Sequence, residues 1–176
     1  MKKIIFFIIL LFLFQSFVVI NSDSDIIQLA HKMQDRYHVT NKKYVTIIDY
    51  GKAILSTRLY LVDMDNNQII LKSTVAHAFN SGLLFAKNFS NDYNTNLSSV
   101  GAFVTKDNYF GDYGYSLKIK GLDKGVNSNA LGRKIIFHST KNMRTIYSKG
   151  CFATSEVINK QLIDKIKGGT LVYVIK

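Results

Sequence analysis

The chain opens on an unbroken apolar block and afterwards changes its hydrophobic period several times. Behind Lys2 and Lys3, residues 4–14 (IIFFIILLFLF) contain no polar side chain, and Gln15 and Ser16 weaken the run before FVVI ends it at Ile20. A positively charged start followed by a short apolar core is the pattern of an export signal, whereas a bilayer span takes about 20 apolar residues. Residues 1–22 are therefore expected to be a signal peptide, with an uncleaved N-terminal membrane anchor as the alternative. Either way the rest of the chain is expected outside the cytoplasm. No cysteine stands near the end of this segment, which excludes a lipoprotein-type anchor.

Beyond the leader, Ile26, Ile27, Ala30, Met33 and Tyr37 recur near the 3.6-residue period. They predict a short amphipathic helix capped by Ser22 or Ser24 within a helical lead-in, residues 23–42. His31 and His38 on it read as surface or cap residues. From residue 43 the pattern turns to strands: YVTIIDY (44–50), RLYLVDM (58–64) and QIILKSTVAHAF (68–79) are rich in β-branched and aromatic side chains. The polar turn Asp65-Asn66-Asn67 makes the last two antiparallel neighbours. Residues 80–99, rich in Asn and Ser, predict a long surface excursion, a feature that commonly forms the wall of a site. Strands follow at 100–105 and 115–120 around a Gly-containing connection (KDNYFGDYG), then a Gly/Asn loop in which Asn127 and Asn129 set the geometry. The buried strand RKIIF delivers His138 at its end. A helix with Ile158, Leu162 and Ile166 on one face, joined by Val157 and Ile163 and capped by Thr154 or Ser155, precedes a last strand, TLVYVI. Strands dominate without βα alternation, so residues 43–176 are expected to form one mainly β, sandwich-like domain with a few peripheral α-helices.

Composition adds a charge and a thiol. The formal net charge of +11 favours an anionic partner, but the lysines are scattered, with no basic tail or stripe, so no nucleic-acid partner is expected. Cys151 is the single cysteine and cannot close an internal disulfide. It is either a small buried hydrophobe or a reactive group. A catalytic thiolate needs a depressed pKa, a base and backbone donors for an oxyanion. His138 upstream supplies a base, Gly150 permits a tight turn with an accessible N–H, and a helix start soon after Cys151 favours an anion. A backbone carbonyl or the Ser139 side chain would orient the imidazole.

Several strings in this order resemble the murein L,D-transpeptidase catalytic-domain family, and more specifically its branch of small exported proteins. They are VAHAFNSG (75–82), FSN (89–91), SSVGAFVT (98–105), YFGDYGYSLKIKGLDKGVNSNA (109–130), KIIFHS (134–139), SKGCFATSEV (148–157) and the closing LIDKIKGGTLVYV. The resemblance implies that Cys151 is acylated by a peptidoglycan stem peptide, that His138 activates it, and that Ser139 is the serine following that histidine. N–H groups at Gly150 and Cys151 would form the oxyanion hole. Two departures stand out: Lys149 occupies a position where a second histidine is common, and the span from His138 to Ser148 is short. The implied reaction is L,D-transpeptidase or L,D-carboxypeptidase chemistry in the bacterial cell envelope, without cofactor or metal. Stem peptides are the substrate, and an envelope lipoprotein is a further candidate acceptor. Membrane contact would run only through an uncleaved N-terminal segment.

His77, Tyr115 and Ser116 are candidates to line the cleft, and Arg133 and Arg144 to pair with a stem carboxylate. Two other readings compete. A zinc hydrolase would have to use His77, His138 and Cys151, but no H-E-x-x-H or close ligand pair is present. A non-catalytic wall-binding or envelope structural protein would use the basic surface and leave Cys151 inert.

Overall fold

The computed structural model describes residues 22–140 and 147–176. Residues 1–21 of the expected leader and Arg144 lie outside them. The first element, α1 (Asp23–Arg36), starts at a capping box in which the Ser22 hydroxyl accepts from the Asp25 N–H and the Asp25 carboxylate accepts from the Ser22 N–H. Ile26, Leu29, Ala30 and Met33 form its buried face, at the spacing read from the sequence. Its polar side carries His31, bonded at 2.6 Å to Asn67. No helix among the described residues is long and apolar enough to cross a membrane.

Strands β1 (Asn41–Asp49), β2 (Leu59–Asp63) and β3 (Gln68–Ser73) form an antiparallel meander. The third stretch is shorter than its apolar run suggests. Past Ser73 the chain leaves the sheet, forms the two-residue strand β4 (His77–Ala78) and enters a 3-10 turn, Phe79–Ser81. Strands β5 (Gly101–Gly111) and β6 (Gly114–Gly121) are longer than expected: most of KDNYFGDYG is strand, and only Asp112 and Tyr113 make the turn. The β-branched and aromatic residues are legible; the polar stretch Lys106-Asp107-Asn108, where the register shifts between Thr105 and Asn108, disguises the hairpin's outer half.

Four elements complete the fold: β7 (Ile136–Ser139), β8 (Tyr147–Ser148), β9 (Phe152–Thr154) and, after α2 (Glu156–Ile166), β10 (Thr170–Ile175). The main sheet has the order β3-β2-β1-β10-β5-β6-β7-β9, and β4 pairs with β8 in a separate two-stranded sheet. The C-terminal strand thus lies in the middle, parallel to β1 and antiparallel to β5. Central strands are covered on both faces, which explains their continuous apolar sequences. On one face Val45, Ile47, Ala102 and Leu171 pack with α1. On the other, Ile48, Phe103, Val172 and Val174 pack with Leu162, Ile163 and Ile166 of α2. The result is the mainly β, sandwich-like domain with peripheral helices that the sequence predicts.

Helix α2 is capped by Ser155, whose hydroxyl accepts from Ile158 N–H. Its buried face differs in one respect from expectation: Val157 is 67% exposed and Asn159 points inward.

Phe152 sits beside the ring of Phe137 (centroids 4.9 Å), Phe103 (5.6 Å) and Tyr50 (6.3 Å), completely buried. Truncating such a side chain costs about 3–5 kcal/mol. Phe152→Ala is expected to lower the urea-unfolding free energy by about that amount, whereas Val157→Ala on the exposed side of α2 should stay within about 0.5 kcal/mol of the parent.

Candidate active site

The site grows out of the parallel pairing of β7 and β9. Phe137 stands opposite Phe152, His138 opposite Ala153 and Ser139 opposite Thr154. Side chains alternate along a strand, so Phe137 and Phe152, both in the α2-side core, fix the parity. His138 points to the other face. Cys151 immediately precedes β9, whose first residue, Phe152, pairs with Phe137. The Ile136 N–H faces the sulfur, and the thiol donates to the Lys134 carbonyl at 3.7 Å.

His138 is buried, and its Nδ1 lies 2.9 Å from the Ser139 carbonyl oxygen. A carbonyl only accepts, so Nδ1 carries the proton and Nε2 keeps its lone pair. Of the two orienting groups considered from sequence, the backbone carbonyl makes the contact; the Ser139 hydroxyl turns away toward the Tyr113 carbonyl at 3.4 Å. The ring of Tyr113, at the tip of the β5–β6 hairpin, covers the imidazole with centroids 4.5 Å apart.

The electrostatics depart from the expected depressed thiol. Burial pushes the Cys151 thiol up, and the Ile136 N–H and the Arg133 charge only partly offset this. Burial also pulls His138 below its ordinary value, against a smaller opposing effect of the Ser139 carbonyl. The resting pair is therefore thiol and neutral imidazole rather than thiolate and imidazolium. Sequence proximity suggested that the following helix would favour the anion, but β9 intervenes and Ser155, not Cys151, caps α2.

Gly150 has φ +124°, a region L side chains rarely adopt, and an added Cβ would stand 3.0 Å from the Leu97 carbonyl. Its N–H donates to the Ser148 hydroxyl at 3.1 Å, while that hydroxyl donates to the Cys151 carbonyl at 2.7 Å. Ser148 thus clasps the turn that presents the cysteine. Lys149 is exposed beside it.

Arg133 lies under the same turn. Its Nη1 donates to the Ser90 carbonyl and, at 2.6 Å, to the Ser99 hydroxyl; its Nη2 donates to the Leu97 carbonyl at 2.6 Å. The guanidinium expected to meet a substrate carboxylate is engaged in fastening the 90–99 excursion to the site, and it adds positive charge near Cys151. His77 is wholly buried in β4, which pairs with β8 just before the Gly-Cys turn. Its Nδ1 accepts from Arg58 at 3.0 Å and its Nε2–H donates to the Gly82 carbonyl at 2.7 Å. It braces the loop from below instead of facing the solvent. Ser116 is also fully buried, its hydroxyl donating to Gly114, and Tyr115 bonds Asp164 at 2.9 Å on the α2 side of the sheet.

Gly150 and Arg133 stand at Cys151, while His138 and Ser139 lie on β7, the strand paired with β9, with Ser139 on the opposite sheet face from His138; His77 sits in β4, Tyr115 faces the α2 side with Ser139, and Ser116 lies on β6 beside β7. Three contributors were not singled out from sequence. Ser148 had a signal, being a hydroxyl just ahead of Gly-Cys. Tyr113 and the fully buried Arg58 had none, because neither a hairpin tip nor a buried cation is marked by periodicity. Among the described residues no three His, Cys, Asp or Glu side chains converge as a metal site would require.

The family model for the L,D-transpeptidase catalytic domain matches residues 21–175. No curated protein matches the sequence. Among solved structures, the helical cell shape determining protein Pgp2 from Campylobacter jejuni, a point mutant, superposes with TM-score 0.53 at 10% identity over 89% of this chain and 57% of that one. The Ldtfm-avibactam carbamoyl enzyme gives TM-score 0.52 at 12% identity over 77% of this chain. A cysteine-to-serine mutant of the Enterococcus faecium L,D-transpeptidase gives 0.50 at 12% identity over 76%. The chain spans 50% of the length of each of the last two. At such identities these likenesses concern the fold.

Two predictions follow from the burial of the site. Alkylation of Cys151 by iodoacetamide should accelerate with pH, with its inflection above the ordinary thiol value of about 8.5; an inflection below pH 7 would indicate a preformed ion pair. Both His77 and His138 titrate below their ordinary value of about 6.5. Below that pH the unfolded chain binds protons the native state refuses, so the urea midpoint should fall between pH 7.5 and 5.5.

Proposed function

The chain belongs to the L,D-transpeptidase catalytic-domain family, and from that premise we propose that it performs cysteine-dependent acyl transfer on peptidoglycan stem peptides. The observation that carries the reading is the tautomer imposed on His138: with Nδ1–H held by the Ser139 carbonyl, Nε2 is left as a base on β7, the strand paired with the segment that Cys151 leads. The resemblance of the strings around these residues to the small exported branch supports the same assignment.

In the reaction His138 Nε2 takes the proton of Cys151 as sulfur attacks the carbonyl of the third stem residue, which joins an L-centre to a D-centre. Because the resting pair is neutral, proton removal accompanies attack. The oxyanion is met by the Cys151 N–H and by the Gly150 N–H once Ser148 yields it. The carbon–nitrogen bond breaks, the D-alanine amine leaves with the proton from His138, and a Cys151 thioester remains. An amine of a second stem, a lipoprotein lysine or water then attacks, His138 takes its proton, and the carbon–sulfur bond breaks to restore the thiol. The three acceptors give cross-link, attachment and carboxypeptidase products. Arg133 keeps the turn in place, and Lys149 at its edge is the side chain through which this protein would differ in substrate choice.

Export fits the reading. Residues 1–22 serve as signal peptide or anchor, residues 23–42 as the helical lead-in and 43–176 as the catalytic domain, acting in the cell envelope without a cofactor.

Intact-protein mass spectrometry after incubation with a carbapenem or a tetrapeptide stem tests this. A covalent adduct is expected on the parent protein, absent in Cys151→Ala and formed at least a hundred-fold more slowly in His138→Ala, consistent with general-base contributions of about 10²–10⁴. Gly150→Ala should lose most adduct formation because of its φ. Folded protein that forms no adduct with either reagent would leave the inert-cysteine reading in possession.

A further inference from the structure

A cavity of about 530 Å³ opens between α2 and the outer part of the β5–β6 hairpin. It lies on the sheet face opposite His138, and Ser139, which follows that histidine, lines one side. Its floor includes Asn159, which is 2% exposed and sits on a helix face otherwise made of Leu162, Ile163 and Ile166. The Asn159 Nδ2 donates to the Tyr115 carbonyl at 2.6 Å, but its Oδ1 is buried with no hydrogen-bond partner. A buried amide oxygen left in this state is costly and calls for a donor.

The walls indicate what kind of donor. Phe110, 81% exposed, inclines against Tyr115 with ring centroids 5.1 Å apart, so an aromatic surface is open at the mouth. Opposite stand the carboxylates of Glu156 and Asp164. Asp164 is held below the usual carboxylate range by Lys160, which bonds it at 2.7 Å, and by Tyr115. Asn108 and Lys160 also line it, and since the Lys160 ammonium is engaged with Asp164, the Glu156 carboxylate and Asn159 Oδ1 leave the lining acceptor-rich around an apolar platform. An anionic ligand would meet two carboxylates, and a purely apolar one would leave Asn159 unpaired. A simple amine finds Asp164 already paired and makes no use of the aromatic platform. A sugar ring fits on both counts, offering a C–H face to the aromatics and several hydroxyl or amide N–H donors to the acceptors.

We propose that this cavity binds an N-acetylated sugar of the glycan strand, with the C–H face on Phe110 and a hydroxyl or acetamido N–H on Asn159 Oδ1. The inference rests on the peptidoglycan reading of the Cys151 site and adds that the protein grips the glycan as well as the stem. The two sites share β7: the carbonyl of Ser139 fixes the base, and its residue lines the sugar cavity.

The probe is the N-acetylglucosamine tetramer, which carries no stem peptide, titrated into the ¹⁵N-labelled protein. Saturable shifts are expected at Phe110, Tyr115 and Asn159, unchanged in Cys151→Ala. Phe110→Ala, which removes an exposed ring and no buried contact, should weaken binding at least five-fold, and Asn159→Leu at least ten-fold. Should Asn159→Leu not fold, Phe110→Ala decides alone. Absent shifts, shifts confined to other surfaces, unaltered affinity in folded Phe110→Ala, or stronger saturation by lysine amide than by the sugar would overturn the proposal. No bond is broken in this experiment, so its failure leaves adduct formation at Cys151 untouched, and loss of the adduct leaves sugar binding to be read independently.

Discussion

The parallel ladder between β7 and β9 is the constraint on which the site depends. Because side chains alternate, burying Phe137 and Phe152 on the α2 face turns His138 to the other face and fixes the start of β9, where Cys151 stands. A slip of one residue in β7 would send Phe137 out and the imidazole into the core. The rings that stabilise the fold and the candidate residues His138 and Cys151 are therefore neighbours along β7 and at the start of β9, and the register is enforced by hydrophobic burial.

Burial then sets the protonation states. Desolvation outweighs the nearby Arg133 charge and the Ile136 N–H, keeping the thiol protonated and the imidazole neutral. Around this neutral pair the scaffold is polar and tightly bonded: Ser148 clasps the Gly150 turn, Arg133 fastens the 90–99 excursion beneath it, and Arg58 and His77 brace β4 behind. The long excursion has the structural role its composition suggested, since its carbonyls at Ser90 and Leu97 are what Arg133 holds.

Much of the fold could be read from the chain because burial writes a period into it. The α1 face, the β2–β3 turn and the Ser155 cap follow from spacing and capping chemistry, whereas the strand expected over RKIIF is displaced to Ile136–Ser139, with His138 inside it. What escaped was set by tertiary partners. Lys106, Asp107 and Asn108 look like loop but belong to β5, the first two at a register shift and Asn108 opposite Leu117; the apolar run after Gln68 continues past the sheet because Val75 and Ala76 are buried against the core and β9 rather than in a longer β3. Asn159 displaced Val157 from the inward face, against its hydropathy. At the site, Cys151, His138 and Ser139 were visible as residue types, and Gly150 as a turn. The bonding of Arg133 to the excursion, the burial of His77 and the upward shift of the thiol were not, because each depends on groups distant in sequence.

The central claim is that His138 is held as a neutral base with its proton on Nδ1. Long-range ¹H–¹⁵N correlation spectra of the folded protein at pH 7 read this directly from the two ring nitrogens. A protonated Nδ1 bonded to the Ser139 carbonyl and an unprotonated Nε2 are expected; a proton on Nε2 alone, or an imidazolium at that pH, would contradict this assignment.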